Sequence, residues 1–318
     1  MKKLIDSIKS RKELYLPFLT SFLISALTTT SSTETSVKNL GFSSSMEKGH
    51  ISEGSDPEKL RIKKLRIFTA IPVICIAFAE LLIFLGRTEE AVWAHIGILL
   101  TLCLSNIFIK NVQVNKIHQA LMLLPILRLI SLSMPKFFAT TLYSFILIYG
   151  PLIIPVAIII MHQRHSLEQL GVSMKNLGIY MILSVPLGFL LGLGEYMTIQ
   201  TGYLIPDLTF SNLFKLILIM VFFVGLVEEI IFRSILQTRL EQALSVPEAI
   251  LITSFLFGLM HSGYGTFNEI LYTGFVGLIL GLLFYKTKSL PFVAVLHGFV
   301  NVFLFGILPL CFSSWKGF

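Results

Sequence analysis

Long apolar runs separated by short polar joints dominate the chain from residue 67 onward. Runs of this length favour transmembrane helices, because a helix satisfies its own backbone hydrogen bonds inside a bilayer. The composition agrees, since the sequence is 54% hydrophobic and 14% charged, against roughly 25% charged for a soluble domain. We therefore predict an all-α fold, a polytopic transmembrane bundle of about eight to nine helices. The predicted spans are Ile67–Gly86, Ala91–Ile109, Ala120–Met134, Phe138–Met161, Leu177–Ile199, Leu213–Leu236, Ala249–His261, Ile270–Tyr285 and Phe292–Leu310.

The positive charge of the chain follows the pattern of a membrane protein. The formal net charge is +7, and a basic collar at residues 59–66 precedes the first predicted span. Most joints that carry Lys or Arg fall on the side of this collar, which is the cytoplasmic side by the positive-inside rule. The joint at residues 201–212 contains neither residue and fits the outer side. We predict a multi-pass integral membrane protein in a lipid bilayer, with no nucleic-acid partner.

Two adjacent carboxylates, Glu228 and Glu229, lie in the middle of an apolar run long enough to span a bilayer. A charged side chain at mid-membrane depth costs roughly 2.5–3.5 kcal/mol on insertion scales, so such a pair requires a partner or a function. Arg233 follows Glu229 by four residues and can pair with it on one helix face. Glu228 points about 100° away and is expected to stay free. One paired and one free carboxylate can produce a general base.

Two later spans carry polar side chains at helical spacing. Phe257 and His261 are four residues apart, as are His297 and Asn301, so each pair shares a helix face. At about 1.5 Å per residue from the predicted cytoplasmic ends, Glu228 and His261 lie roughly 16 and 18 Å deep. On the same rise, His297 and Asn301 lie roughly 9 and 15 Å deep. We predict that these polar side chains reach similar depths and form one site.

These residue types support two kinds of hydrolytic site. A glutamate and a histidine can hold and deprotonate a water, while His297 and Asn301 can donate hydrogen bonds to an oxyanion. Alternatively, Glu228, His261 and His297 could hold a catalytic zinc ion together with a water. The sequence contains no H-E-x-x-H motif, and the glutamates lie on a different predicted helix from either histidine. A metal site is therefore open but is not indicated by spacing.

Three motifs in this region resemble a known protease family. E-E-I-I-F-R from Glu228 matches E-E-x-x-x-R, F-G-L-M-H from Phe257 matches F-x-x-x-H, and H-G-F-V-N from His297 matches H-x-x-x-N. In this order they resemble the CPBP family of intramembrane proteases, the CAAX-processing and bacteriocin-processing (Abi) group. The eukaryotic CAAX prenyl endopeptidase is a member of that group. The resemblance covers about Leu177 to Pro309 of this sequence.

The resemblance implies an endopeptidase that hydrolyses a peptide bond of a membrane-associated peptide, such as a prenylated CAAX-type C terminus or a leader peptide. It implies that Glu228 and His261 activate the water, and that His297 and Asn301 form the oxyanion site. No cofactor is expected to be required, although the family is often labelled metal-dependent and zinc stays an alternative. The residues expected to support the site are Glu229, Arg233 and Phe257.

The resemblance also suggests a division of the chain. We predict a partly disordered N-terminal extension with a possible short apolar helix at residues 1–65, N-terminal transmembrane helices at 66–170 and a CPBP-like catalytic transmembrane domain at 171–318. Other polar residues within the spans are expected to have structural roles, since buried charges are usually paired. Arg128 and Glu80 are candidates for such a pair, and His95 and Glu195 are expected near an interface.

Two other classes of function stay open from the residues alone. A proton- or cation-coupled membrane transporter would also use buried carboxylates and histidines. It does not, however, predict the paired His-Asn and Phe-His faces. A catalytically inactive membrane scaffold or immunity protein would keep the fold but would not need the complete set of motif residues.

Overall fold

Nine helices among the described residues are long and apolar enough to cross a membrane in the computed structural model of the chain. The structure describes residues 57–315, with side chains to Phe312, and contains no β-strand in that range. The predicted all-α bundle is confirmed, and the chain is a multi-pass integral membrane protein. The helices are α1 Pro57–Phe84, α2 Thr88–Phe108, α3 Val112–Phe137, α4 Ser144–His162, α5 Leu177–Ile199, α6 Phe210–Ala243, α7 Val246–Leu259, α8 Phe267–Thr287 and α9 Leu290–Phe312.

Most of the predicted N-terminal extension lies outside the described residues, including its possible apolar helix. Its last part, residues 57–65, forms the first turns of α1, so the basic collar is helical. The three predicted regions of the chain and the predicted orientation in the membrane stay predictions.

The predicted spans differ from the helices mainly in length. The third span was expected to be short, yet α3 has 26 residues because its polar first turns are also helical. Asn111 caps this end by accepting hydrogen bonds from the backbone of Gln113 and Val114, and His118 contacts the backbone oxygen of Phe68 at 2.9 Å. The hydropathy of the sequence could not predict these turns, since their polar side chains are held by tertiary contacts.

The seventh span is short, as expected. Helix α7 has 14 residues and begins with a capping box formed by Ser245 and Glu248. It ends at Leu259, and the chain then makes a 3-10 turn over Ser262–Tyr264 before α8 begins. His261 therefore lies just beyond the helix, in the connection between α7 and α8.

Helix α6 carries the glutamate pair between two stretches of π-helix. It has 34 residues, and the π-helical segments are Ile219–Gly225 and Ile230–Gln237. The four residues between them, Leu226–Glu229, are α-helical. Single π-helical turns are frequent at functional sites, because they redirect side chains that a regular helix would place elsewhere.

Helices α6 and α9 cross at backbone contact beside the glutamates. A Cβ atom at Gly225 would lie 2.5 Å from the backbone oxygen of Ala294, and one at Gly298 would lie 2.6 Å from the α6 backbone. Glycine permits this approach, and small residues are the usual means of close packing between transmembrane helices. Gly225 precedes Glu228 by three residues and Gly298 follows His297 directly. The crossing therefore brings the first and third motifs together.

One large apolar core joins the N-terminal helices to those that carry the motifs. It contains Leu124 of α3, Leu152 of α4, Ile231 of α6 and Leu256 of α7, all of them fully buried. The motif-bearing helices are thus packed directly against α3 and α4 rather than standing apart from them.

Candidate active site

The four residues predicted to be catalytic line one cavity of about 60 Å³, whereas the predicted supporting residues Glu229, Arg233 and Phe257 lie outside its lining. This volume can hold a few water molecules, since a water needs at least about 10–15 Å³ by the same measure. Tyr264 is 44% exposed and stands where the cavity meets the surroundings. The residues that line the cavity are Phe145, Tyr149, Glu195, Val224, Glu228, His261, Tyr264, His297, Asn301 and Phe305.

Glu229 is fully buried and binds two cationic or hydrogen-donating partners. Its Oε2 accepts a hydrogen bond from Arg233 Nε at 2.9 Å, the pair that the four-residue spacing predicts. Its Oε1 lies 2.9 Å from Nδ1 of His297. Because a carboxylate only accepts, Nδ1 of His297 carries the proton of this bond. Glu229 therefore fixes the ring of His297 and leaves its Nε2 directed away from this contact.

Glu228 is not free, contrary to the expectation from helical geometry. The hydroxyl of Tyr149 donates a hydrogen bond to its Oε1, and Nε2 of His297 lies 3.8 Å from its Oε2. Tyr149 is 8% exposed and belongs to α4, which lies outside the three motifs. The 100° between successive helical residues correctly predicts that Glu228 points away from Arg233. It cannot predict the partner Tyr149, which lies 79 residues away in the sequence.

Tyr149 is a site residue that the sequence analysis missed. The available signal was weak: a single hydroxyl in the apolar run F-I-L-I-Y-G-P-L, at a position where a buried Tyr normally finds a hydrogen-bond partner. A tyrosine in a span can equally lie at the membrane interface, so the sequence could not choose between the two.

His261 is half-buried and has a defined tautomer. Its Nδ1 lies 2.9 Å from the backbone oxygen of Phe257. A carbonyl oxygen only accepts, so Nδ1 carries the proton and Nε2 is the basic nitrogen of the neutral ring. A basic Nε2 on the cavity wall can accept a hydrogen bond from a water.

Phe257 packs against three polar groups of the site at once. Its ring centroid lies 5.1 Å from that of His261 and 5.6 Å from that of His297. The guanidinium carbon of Arg233 lies 5.2 Å from the same ring centroid and 5.9 Å from that of Phe232. Both terminal nitrogens of Arg233 have no hydrogen-bond partner among the described side chains and backbone. The two aromatic faces therefore stabilise the buried cation by cation–π contact.

Glu195 also lines the cavity and is only 5% exposed. Its expected position near an interface stays a prediction. Glu269 on α8 is fully buried, and both of its carboxyl oxygens have no hydrogen-bond partner among the described residues. Glu269 did not stand out in the sequence, since it lies in the first turn of a helix, where acidic residues are common.

A second buried polar cluster lies beside His261. Arg128 pairs with Glu80, with Nε and Nη2 at 2.8 and 2.6 Å from the two carboxylate oxygens. This is the pair suggested from the sequence. His95 is fully buried, with Nε2 at 3.4 Å from Oε1 of Glu80.

The described side chains do not form a ready metal site. No group of three or more His, Cys, Asp or Glu side chains within residues 57–312 is arranged to hold a metal ion. The zinc set of Glu228, His261 and His297 is therefore not favoured by the positions of these side chains, and it stays an alternative.

Comparison with known protein families identifies the same region. Residues 210–303 match the family model described as Type II CAAX prenyl endopeptidase Rce1-like. The match covers less than a third of the chain but contains all three motifs, and it confirms the family resemblance predicted from them. No curated protein and no solved structure matches this chain.

Proposed function

We propose that this chain is an intramembrane endopeptidase that hydrolyses a peptide bond with a water activated by Glu228 and His261. The family match over residues 210–303 supports a CAAX protease-like activity. The observation that carries the proposal is the single cavity lined by Glu228, His261, His297 and Asn301, which come from three different helices or their ends.

In the proposed reaction, the water lies between two hydrogen-bond acceptors. The Oε2 atom of Glu228 and the Nε2 atom of His261 each accept one hydrogen of the water, which raises the electron density on its oxygen. The oxygen attacks the carbonyl carbon of the substrate as one proton passes to Glu228. Tyr149, bound to the other carboxylate oxygen of Glu228, keeps the carboxylate turned toward the water.

His297 and Asn301 stabilise the oxyanion that forms on the substrate. In this step His297 carries a proton on both ring nitrogens: Nδ1–H donates to Glu229 and Nε2–H donates to the oxyanion, beside the amide of Asn301. Before the attack, the negative charges of Glu228 and Glu229 balance the positive charges of Arg233 and His297. The attack transfers a proton to Glu228 and places the negative charge on the oxyanion, so the balance is kept. Collapse of the intermediate then breaks the C–N bond, and Glu228 returns its proton to the leaving nitrogen.

The proposed substrate is a membrane-associated peptide that reaches the cavity in an extended form. The name of the matched family, CAAX prenyl endopeptidase, suggests a peptide anchored by a prenylated cysteine near its C terminus. A leader peptide of a secreted precursor is the other candidate. Both would present a backbone carbonyl at the depth of the cavity while the rest of the peptide stays in the lipid or at its surface.

The test is peptide cleavage by the purified protein in detergent, with a prenylated CAAX peptide and a leader peptide as substrates. Glu228→Gln and His261→Ala should each lower kcat by at least about 100-fold, since general-base catalysis contributes roughly 10²–10⁴-fold. Glu168→Gln and His162→Ala are matched controls, because both side chains are exposed outside the cavity, and they should cleave as wild type does.

The same assay includes a chelator and added zinc. Cleavage that is lost with the chelator and restored by zinc would replace the proposed mechanism with a metal-dependent one. Cleavage that survives both substitutions would overturn the site. Absence of cleavage together with proton-coupled uptake by reconstituted vesicles would favour the transporter.

A further inference from the structure

His261 is held between two residues that are tied to the N-terminal helices. On one side of it, the backbone oxygen of Met260 accepts a hydrogen bond from Nη2 of Arg128. On the other side, the hydroxyl of Ser262 donates to Oε2 of Glu80 at 2.7 Å. Arg128 lies on α3 and Glu80 on α1, so both contacts come from helices that precede the family match at residues 210–303.

The cluster that makes these contacts is buried and its groups are paired with one another. Glu80 and Ser262 are fully buried, and Arg128 is 7% exposed. Each carboxylate oxygen of Glu80 accepts from Arg128, and its Oε2 also accepts from Ser262. Breaking one partner of such a cluster leaves a buried charge without compensation. The geometry of the cluster is therefore firmly determined.

The segment that carries His261 is joined to α7 by backbone hydrogen bonds, from the Met260 N–H to the oxygen of Leu256 at 2.9 Å and from the His261 N–H to the oxygen of Gly258 at 3.0 Å. α7 ends at Leu259. Residues 263–266, which follow the buried Ser262, are all exposed. Within the part of the chain that the structure describes, the His261 side chain forms one hydrogen bond, to the backbone of Phe257, which fixes the ring relative to α7. In addition to these bonds within the segment and to α7, the residues on either side of His261 are held by Arg128 and Glu80.

We propose that Glu80 and Arg128 are positioning residues that hold His261 against the catalytic water through their hydrogen bonds to Ser262 and Met260. This inference rests on the proposed function, because it assumes that His261 acts on the water. This role explains why the buried ion pair between α1 and α3 also binds the segment between α7 and α8. An error of about 1 Å in the position of a catalytic group can lower a rate by roughly 100-fold, so the contacts bear directly on the reaction.

A purely structural ion pair would predict different behaviour. If Glu80 and Arg128 only joined α1 to α3, removing the Ser262 hydroxyl would leave their mutual bonds intact and would not alter catalysis. If they position His261, the loss of this one hydroxyl loosens the connection even though the ion pair remains. Ser262→Ala is therefore the informative variant, with Arg128→Lys as the second, since lysine keeps the charge but cannot bind both Glu80 and Met260 through a fork.

Ser254→Ala provides the matched control. Ser254 is a buried serine of α7 whose hydroxyl donates only within its own helix, to the backbone oxygen of Ile250 at 2.6 Å. It has the same chemistry and a similar burial to Ser262, but it does not contact the Glu80–Arg128 cluster.

The first measurement is hydrogen exchange, followed by mass spectrometry, of the purified protein in detergent. Peptides that cover residues 260–266 should exchange at least about tenfold faster in Ser262→Ala and Arg128→Lys than in wild type, because local opening controls this rate. Peptides from the middle of α1 and α3 should be unchanged in Ser262→Ala. Equal exchange at 260–266 in all variants would overturn the proposal, whether or not the protein is a protease.

The second measurement is the kinetics of peptide cleavage by the same variants. Ser262→Ala and Arg128→Lys should lower kcat by about 10–100-fold with little change in KM, as expected for a misplaced catalytic group. Ser254→Ala should match wild type. Unchanged kcat in a variant with loosened residues 260–266 would also overturn the positioning role. Cleavage by Glu228→Gln would instead overturn the proposed function. The hydrogen-exchange measurement would still test whether Glu80 and Arg128 hold residues 260–266.

Discussion

Several side chains of the candidate site each contact more than one neighbour. Glu229 binds Arg233 and His297 through its two oxygens, and the ring of Phe257 touches Arg233, His261 and His297. Such sharing makes the site compact, because a few residues fix the orientation of all others. It also means that one substitution changes several contacts, so small and isosteric changes are the most informative.

Tyr149→Phe is such a change. It removes the hydroxyl that donates to Glu228 and leaves the aromatic ring in place. We expect a loss of about 1.5–3 kcal/mol in stability, the usual contribution of a hydrogen bond to a charged group. We also expect kcat to fall about tenfold while KM changes little, since Glu228 loses its orienting partner. Steady-state kinetics and thermal unfolding in detergent measure the two effects.

The control for this variant is Tyr143→Phe. Tyr143 precedes α4 and is 56% exposed, so the loss of its hydroxyl should alter neither kcat nor stability. A Tyr149→Phe enzyme with wild-type kcat would show that the hydroxyl does not orient Glu228.

Residue spacing alone could predict contacts within the site only where they are local. The Glu229–Arg233 pair follows from four-residue spacing, and its geometry agrees with that expectation. The bonds from Tyr149 to Glu228 and from Ser262 to Glu80 join residues 79 and 182 positions apart. No periodicity connects such positions, because their proximity depends on how whole helices pack.

At the scale of helices, the crossing of α6 and α9 determines where the motifs meet. Regular α-helical spacing would have set the direction of every polar side chain on α6, but two π-helical segments flank the glutamates. The apolar runs predicted the existence of the helices well. They could not predict the π-helical segments, since these depend on side-chain packing against α9 and the other neighbours.

Gly298→Ala should separate the two helices. The added Cβ would lie 2.6 Å from the α6 backbone, which is closer than real Cβ contacts, and the backbone there cannot yield as a flexible side chain would. Overpacking of this kind costs typically about 1–3 kcal/mol. Because Gly298 adjoins His297, we expect the variant to unfold at a lower temperature and to lose most of its cleavage activity.

Gly97→Ala is the matched control for Gly298→Ala. Gly97 lies on α2 with nothing within 4 Å of an added Cβ. Alanine favours a helix over glycine by roughly 1 kcal/mol, so this variant should be as stable as wild type or slightly more stable. Equal activity in the two alanine variants would show that close contact at Gly298 is not needed for the site.

Considered as a whole, the molecule builds its site from both halves of the chain. The family match begins at residue 210, yet Tyr149 lies on α4, Glu195 lies on α5, and the Glu80–Arg128 pair lies on α1 and α3. The residues that resemble the family could be recognised from three motifs. The residues that hold them could not, since they are specified only by the packing of this particular bundle.

The same long-range packing reaches the polar joint between α4 and α5. His165 lies there beside Gln163, which accepts a hydrogen bond from Arg239 of α6 at 2.6 Å. Nε2 of His165 lies 3.2 Å from the side-chain oxygen of Gln163. Burial, followed by the positive charges of Arg239 and Lys116, lowers the pKa of His165 to about 4.

This shift predicts a loss of stability in acid. The unfolded chain has the ordinary histidine pKa of about 6.5, so between pH 6.5 and 4 it binds a proton at His165 that the folded protein does not. The contribution of neutral His165 is therefore complete above about pH 6.5 and is lost as the pH falls toward 4. His165→Gln should show a smaller decrease in unfolding temperature over that range, measured by thermal unfolding in detergent.

His162→Gln is the control for this measurement, because His162 is exposed at the end of α4. Its unfolding temperature should depend on pH as in wild type. A His165→Gln curve parallel to that of wild type would show that other groups determine the acid sensitivity.

The cluster of Glu80, Arg128 and Ser262 also has a consequence for the order in which the chain is synthesised. Glu80 leaves the ribosome 48 residues before Arg128 and 182 residues before Ser262. When α1 first enters the bilayer, it therefore contains a carboxylate whose counter-charge has not yet been made, and the strongly apolar remainder of the helix must offset the roughly 2.5–3.5 kcal/mol penalty. Arrival of α3 neutralises that charge. A nascent chain that ends after α2 should thus be a poorer membrane anchor and a better target for quality-control proteases than one that ends after α3.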